Sequence, residues 1–253
     1  MRFLTADLHI HTVLSPCAEA EMLPSLIVER AQELGLQMIA ITDHNSAENV
    51  HATACAAHHV DLVVLAGMEV QSREEVHLLC LFDTVAQVLE WQALVYDHLP
   101  RAKNRPDVFG VQVVIDEAGN PVGYNERLLL TSTSFSVEQV VAQVSALGGI
   151  SIPAHVDRPA YSMVANLGFV PPGLGISGVE ISHLLGPKEA RDRFPQLRPY
   201  GLIGNSDAHR LGDMARRTTL KVEAPTVAEL ALALSGQGDR EIWIDGFQSG
   251  RVP

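Results

Sequence analysis

Asp7-Leu8-His9-Ile10-His11-Thr12 is the stretch on which the fold turns. It reads as the end of a β-strand running from Phe3 to His11. At a period of two, Asp7, His9 and His11 fall on one face and Leu8 and Ile10 on the other. Imidazole and carboxylate gathered at one strand end are common donors for divalent transition metals.

The pattern recurs outward from there. After a loop over Thr12 to Met22, Pro24 suits the first turn of a helix carrying Leu26, Ile27, Ala31 and Leu34, and Gly35 is placed to stop it. Gln37 to Thr42 is a second expected strand, ending in Asp43-His44. A helix is expected over Glu48 to His59. A buried strand over Asp61 to Ala66 then ends at Gly67-Met68-Glu69. His77 begins or lies within the apolar strand Val76 to Phe82. Further along, Ile150 to Pro153 leads to His155, Gly178 to Ser182 to His183, and Gly201 to Gly204 to Ser206-Asp207-Ala208-His209. Thr218 to Val222 is another strand and Val227 to Leu234 a last helix. Residues 83–133 break the rhythm with a helix over Thr84 to His98 and a hairpin around Asp116 to Pro121; they are expected to form an insertion or lid on a single domain. Alternating strands and helices imply an α/β protein with a parallel sheet. In (β/α) barrels the strand-to-helix loops converge at the C-terminal ends of the strands, so motifs far apart in sequence meet in one pocket.

Composition narrows the class. The 253 residues are 47% hydrophobic, enough for one large core. A net charge of −12 argues against a protein that coats long nucleic acid, which needs Lys and Arg for the phosphates. Cys17, Cys55 and Cys80 are an odd set with no close pair, so no disulfide framework is expected. With no secretory leader and no apolar run long enough for a span, the expectation is a cytoplasmic protein without a membrane partner.

Each motif has a plainer reading. A His within an apolar strand, such as His77, is as readily a core residue, and a strand-end Glu such as Glu69 is commonly solvated. Asp43 either ligates or orients a ligand from behind, and Asp7 is read in that supporting role. His51, His58, His59 and His98 lack acidic or strand-end companions and read as solvated. What favours the ligand reading is number. Six of the eleven histidines fall in such motifs, and so large a set points to a multi-metal site of the kind that hydrolyses phosphate esters.

Asp7-Leu8-His9-Ile10-His11-Thr12, Thr42-Asp43-His44, Gly67-Met68-Glu69, His77, Pro153-Ala154-His155 and Ser206-Asp207-Ala208-His209 together resemble the ordered motifs of the PHP family, named for its polymerase and histidinol phosphatase members. The resemblance implies a distorted (β/α)7 barrel holding two or three divalent ions, Mn, Fe or Zn, and phosphoesterase chemistry. It implies one ion held by His9, His11, Glu69 and Asp207, a second by Glu69, His77 and His155, and a third at His44 and His209. One departure stands out. Many relatives place an Asp about five residues after the second His, where this chain has Pro16. Cys17, Glu19 or Glu21 takes its place, or the third ion is weak or absent.

The expected reaction is attack on phosphorus by a metal-activated hydroxide, with Asp207, His209 and Arg158 as the catalytic set. Arg158 is the first choice to clamp the phosphoryl oxygens and Arg210 the second. His209, or His183 if it faces inward, would protonate the leaving alkoxide. Tyr161 and Phe169 are candidates to wall the pocket, and Arg101-Ala102-Lys103-Asn104-Arg105 to gather a polyanion. The leading expectation is a hydrolase for a small phosphorylated metabolite or short nucleotide. The rivals are a nuclease for single-stranded or short nucleic acid, and a non-catalytic metal-binding regulatory module.

Overall fold

The computed structural model describes residues 1–245. In chain order the elements are β1 (Arg2–Ile10), α1 (Pro24–Glu33), β2 (Met38–Ile41), α2 (Val50–Ala56), β3 (Val63–Gln71), β4 (His77–Phe82), α3 (Val85–His98), α4 (Pro106–Phe109), β5 (Val113–Ile115), β6 (Pro121–Tyr124), α5 (Val137–Ala146), β7 (Ile150–Pro153), α6 (Met163–Leu167), β8 (Gly178–Ile181), α7 (Pro187–Arg193), β9 (Gly201–Gly204), β10 (Thr218–Val222), α8 (Val227–Ser235) and β11 (Glu241–Ile244). Local chemistry sets several boundaries. Pro24 opens α1, and capping boxes Thr84/Gln87 and Ser136/Gln139 open α3 and α5. α2 is shorter than the expected helix because the Asn49 side chain, just before it, bonds Thr12, Val113 and Ile115.

A seven-stranded sheet runs β11-β10-β1-β2-β3-β4-β7, and β8 pairs with β9 in parallel. β8 lies beside β7 and β9 beside β11, so this pair spans the gap between the sheet's two ends. The result is a curled, distorted (β/α) barrel. An inner cluster draws Leu8, Met38, Leu65, Leu79, Ile152 and Leu220 from strands around the ring, with Leu230 and Leu234 of α8 packed among them. An outer cluster packs Ile41, Met68 and Phe82 against Ile27 of α1, Trp91 of α3 and Val140 of α5.

Two expectations need correction. The sheet is mixed rather than parallel: β1-β2-β3 are parallel, but β3-β4, β4-β7, β1-β10 and β10-β11 are antiparallel. The β3-β4 connection is a tight turn closed by Ser72 N–H to Val76 O (2.9 Å), too short for the crossover a parallel pair needs. Strict alternation along β1 also fails. Its register against β2 shifts between Asp7 and Ile10, and Leu8 joins the inner cluster while Ile10 joins the outer one. His9 and His11 still meet, with ring centroids 5.2 Å apart.

Within residues 83–133, α3 packs on β3 and β4, and the β5-β6 hairpin is tied to the loop after β1 by Val113 N–H to Val13 O (2.9 Å). No helix among the described residues is long and apolar enough to cross a membrane.

Candidate metal centre

The antiparallel turn explains how His77, at the start of its strand, reaches the same edge as residues at the ends of theirs: it pairs in register with Gln71, two residues past Glu69. Glu69 is the hub. Its Oε1 lies 3.0 Å from His77 Nδ1, 3.2 Å from His155 Nε2 and 3.3 Å from His9 Nε2. Its Oε2 lies 2.9 Å from His44 Nδ1 and 3.6 Å from His11 Nε2. Asp207 is the second focus, with Oδ1 3.2 Å from both His9 Nε2 and His11 Nε2 and 3.6 Å from His209 Nδ1. Three groups of donors crowd closely enough to share an ion: His9-His11-Glu69, His44-Glu69-His77 and His11-His44-His209.

The hydrogen-bond network argues for cations between these donors. Ser15 Oγ donates to Asp43 Oδ1 (2.7 Å) and so accepts from His11 Nδ1 (3.0 Å), leaving a lone pair on His11 Nε2. His9 Nδ1 stands 3.1 Å from each carboxylate oxygen of Glu180, so its N–H points there and its Nε2 lone pair points inward. The two Nε2 atoms then face each other at 3.2 Å, an arrangement that needs a positive charge between them. Glu69 Oε2 and His155 Nδ1 are buried with no well-directed hydrogen bond. The donor set fits divalent transition metals.

The electrostatics agree. Burial would raise Glu69, but the charges of His77, His9 and His44 hold it well below the usual carboxylate range. Asp207 is likewise held down, against burial, chiefly by His9 and His11. Burial and the neighbouring charges of His209 and His44 push His11 well below its ordinary value, which preserves its lone pair. Burial opposes protonation of His9, yet Glu180, Asp207 and Glu69 raise it well above the ordinary value, so in the absence of a cation the proton takes that place.

The supporting carboxylates sit behind. Asp43 is occupied by Thr12 N–H and Oγ1, each 2.7 Å away, as well as by Ser15. It therefore steadies the His11 ring through Ser15 and touches no inward-facing donor. Asp7 accepts from Ser206 N–H (3.0 Å) and Ala215 N–H (3.3 Å), fixing the loop that carries Asp207; burial raises its carboxyl to about 6. Positive backbone φ angles at His155 (30°), Tyr161 (54°) and Asp207 (53°) place uncommon conformations at the site itself.

A cavity of about 540 Å³ lies over these donors. Cys17, His44, Glu69, His77, His155, Arg158, Tyr161, Asp207 and His209 line it, together with Phe109 and Leu130 from the segment 83–133. Arg158 pairs with Asp207 Oδ2 at 2.5 Å rather than with Asp157, which instead accepts from Ser182. Tyr161 stacks on His77, ring centroids 4.9 Å apart. Other candidates do not join. Arg210 is exposed and pairs with Glu19 (3.3 Å), His183 and Phe169 are exposed and line no part of the cavity, and Lys103 and Arg105 pair with Glu126 and Asp107 on the surface. Of the residues considered for the place of Pro16, Glu19 is turned to Arg210 and Glu21 to Leu211 N–H. Cys17 lines the cavity against His44 and His209, whose hydrogen bonds outweigh burial and lower its thiol to about 6.

Sequence reasoning missed Glu180, Ser15 and Asn205. Glu180 receives His155 N–H (2.8 Å) and Asn205 Nδ2 (2.8 Å) besides His9, so one buried carboxylate braces three strand ends. The available signal was a lone Glu in the otherwise apolar strand Gly178–Ile181.

YqxK of Bacillus subtilis, an uncharacterized protein, is 24% identical over 96% of this chain and 64% of its own length, so the chain spans less than two thirds of that relative. The crystal structure of the lesion-specific endonuclease PfuEndoQ from Pyrococcus furiosus superposes with a TM-score of 0.69 at 20% identity, over 95% of this chain and 58% of that one. A putative metal-dependent phosphoesterase from Bifidobacterium adolescentis superposes with a TM-score of 0.54 at 22% identity, over 81% of this chain and 87% of that one. These two likenesses show the fold. The PHP domain profile matches residues 7–163, more than half of the sequence, and the chain accordingly belongs to the PHP domain family.

Proposed function

We propose that this protein is a metal-dependent phosphoesterase acting on a small phosphorylated metabolite or short nucleotide. The observation that carries the reading is the convergence of five imidazoles on the two oxygens of Glu69, within 3.6 Å, beneath a cavity of about 540 Å³. That volume is within the usual range for small-molecule sites.

His9, His11, Glu69 and Asp207 would hold one divalent cation and Glu69, His77 and His155 a second, with His44, His209 and Cys17 around a third. Such ions, when bound, lower the pKa of a water toward neutrality and offset the charge of a phosphoryl group. The chain's own residues do the rest. Arg158 is the one Lys or Arg among the described residues lining the cavity, and its guanidinium neutralises non-bridging oxygens. His209, at the cavity wall, gives a proton to the departing alkoxide when no third ion occupies its ring nitrogen. The Tyr161 ring, held on His77, excludes water from one side. Phe109 and Leu130 bring the segment 83–133 to the rim, which supports reading it as a lid.

A nuclease reading draws on the endonuclease likeness, which extends over 95% of this chain. The net charge of −12 and the single lining cation favour short substrates over long duplex. Metal-reconstituted protein should be assayed on p-nitrophenyl phosphate, bis(p-nitrophenyl) phosphate, mononucleotides, short oligonucleotides and a lesion-bearing duplex. Turnover of the small esters is expected. Cleavage confined to the duplex would transfer the reading to the nuclease, and bound metal without turnover of any ester would leave a regulatory module.

A further inference from the structure

A separate constellation of donors lies outside the cavity. His51 and Cys55 stand four residues apart on α2, one helical turn, and Glu117 reaches them from the turn joining β5 to β6. His51 Nε2 is 3.6 Å from Cys55 Sγ and 3.5 Å from Glu117 Oε2, and the three donor atoms all lie within 4.8 Å of one another.

These spacings have a metric meaning. Around a tetrahedral zinc ion with Zn–S near 2.3 Å and Zn–N and Zn–O of 2.0–2.2 Å, the S···N edge is about 3.6 Å and the N···O edge about 3.3–3.5 Å. The observed gaps match both edges. A hollow of about 300 Å³, walled by His51, Cys55, His58 and His59, adjoins two of the three donors and leaves room for a water or second imidazole as fourth ligand. A thiolate with imidazole and carboxylate selects zinc-class ions over magnesium, calcium or manganese.

We propose that His51, Cys55 and Glu117 bind a zinc-class divalent cation that fastens the tip of the β5-β6 hairpin to α2. The base of this hairpin is already secured. Asn49, just before α2, receives Ile115 N–H (2.8 Å) and donates to Val113 O (3.0 Å). Among the described residues its tip has no comparable tie to α2 beyond the exposed His51–Glu117 pair, and the cation supplies one. None of the three residues lines the cavity over Glu69, so the site stands or falls independently of the proposed phosphoesterase.

The test uses the full chain with Cys17→Ser, so that the cavity thiol cannot contribute, and Co²⁺ as the probe. A near-ultraviolet thiolate-to-cobalt charge-transfer band is expected, bleached by added Zn²⁺. It should be lost in the Cys17→Ser/Cys55→Ser double variant and in Cys17→Ser/His51→Ala. Glu117→Ala, on an exposed turn, should lower the affinity without unfolding the chain. Hydrogen exchange at the hairpin tip should slow on Zn²⁺ addition in the Cys17→Ser chain and not in the Cys55 double variant. No band in Cys17→Ser, or a band that survives Cys55→Ser, overturns the proposal and leaves His51–Glu117 a surface ion pair.

Discussion

His9 and Glu180 meet with one ring nitrogen against both carboxylate oxygens, each 3.1 Å from Nδ1, so the opposite nitrogen is aimed at Glu69 and Asp207. A carboxylate behind a ligating imidazole fixes its tautomer and raises its basicity. Glu180→Gln keeps the size of the side chain and one acceptor but removes the charge. Its amide nitrogen turns toward either His155 N–H or Asn205 Nδ2, so the urea midpoint should fall somewhat, and metal binding should weaken by about 10–100-fold. Metal content after dialysis against graded chelator checks this. Unchanged retention would mean that Glu180 braces the strands without tuning His9.

Glu69→Gln is the stricter trial of the centre. The amide keeps the shape but loses the charge shared by five imidazoles. Bound metal should drop, and turnover of a phosphate ester should fall by roughly 10²–10³-fold or more. Full metal content with unaltered rates would remove Glu69 from the centre.

The contrast between these two carboxylates shows what sequence can carry. Glu69 was legible because the sequence pattern closes a strand at Gly67-Met68-Glu69, one of a series of strand-end motifs, although β3 itself runs on to Gln71. Glu180 has no His or Asp beside it, and its role exists only once β8 lies next to β7 and β1 reaches across the ring. Strand direction was equally hidden: hydrophobic patterning marks a strand but not whether its neighbour runs with or against it. The short Ser72–Val76 turn was the one clue that β4 turns back. Arg158 and Arg210 show the same limit, since both follow a motif His by a few residues and only Arg158 faces the cavity.

Cys17 gives a pH-dependent readout. Burial raises a thiol, but hydrogen bonds with His209 and His44 prevail and bring it from 9.0 to about 6. A folded value below the unfolded one stabilises fully above the unfolded value, and that contribution disappears as pH falls through the folded value. In metal-stripped protein with Cys55→Ser, iodoacetamide should therefore modify Cys17 with a rate midpoint near pH 6, while buried Cys80 stays inert. Reloading with Zn²⁺ should protect it. A midpoint near that of an ordinary thiol, with no protection by metal, would place Cys17 outside the third position.

Arg158→Ala should cost roughly 10²-fold in kcat/KM on a phosphate monoester, the usual loss for one charge-stabilising donor, with little change in bound metal. Arg158→Lys should recover part of it, because charge returns without the planar fork. Because Arg158 also pairs with Asp207, metal content must be measured alongside the kinetics. Equal kcat/KM in all three proteins would remove Arg158 from phosphoryl binding.

Gly67 tests how the β3 backbone delivers Glu69. A Cβ at this position would lie 2.7 Å from Ile41 O and 2.9 Å from Thr42 Cγ2, closer than real side chains approach backbone. Gly67→Ala must therefore push β3 from the end of β2, where Asp43 O accepts from Glu69 N–H (3.1 Å) and His44 forms an isolated bridge with Glu69. Overpacking of this kind costs typically about 1–3 kcal/mol, readable as a lower urea midpoint. The displacement also moves Glu69 relative to His44, so metal affinity should fall further than in an equally destabilised variant remote from the centre. Leu230→Ala in α8, within the inner cluster, is that control. If both variants lose stability and metal affinity stays level in both, β3 tolerates the added methyl without shifting its carboxylate.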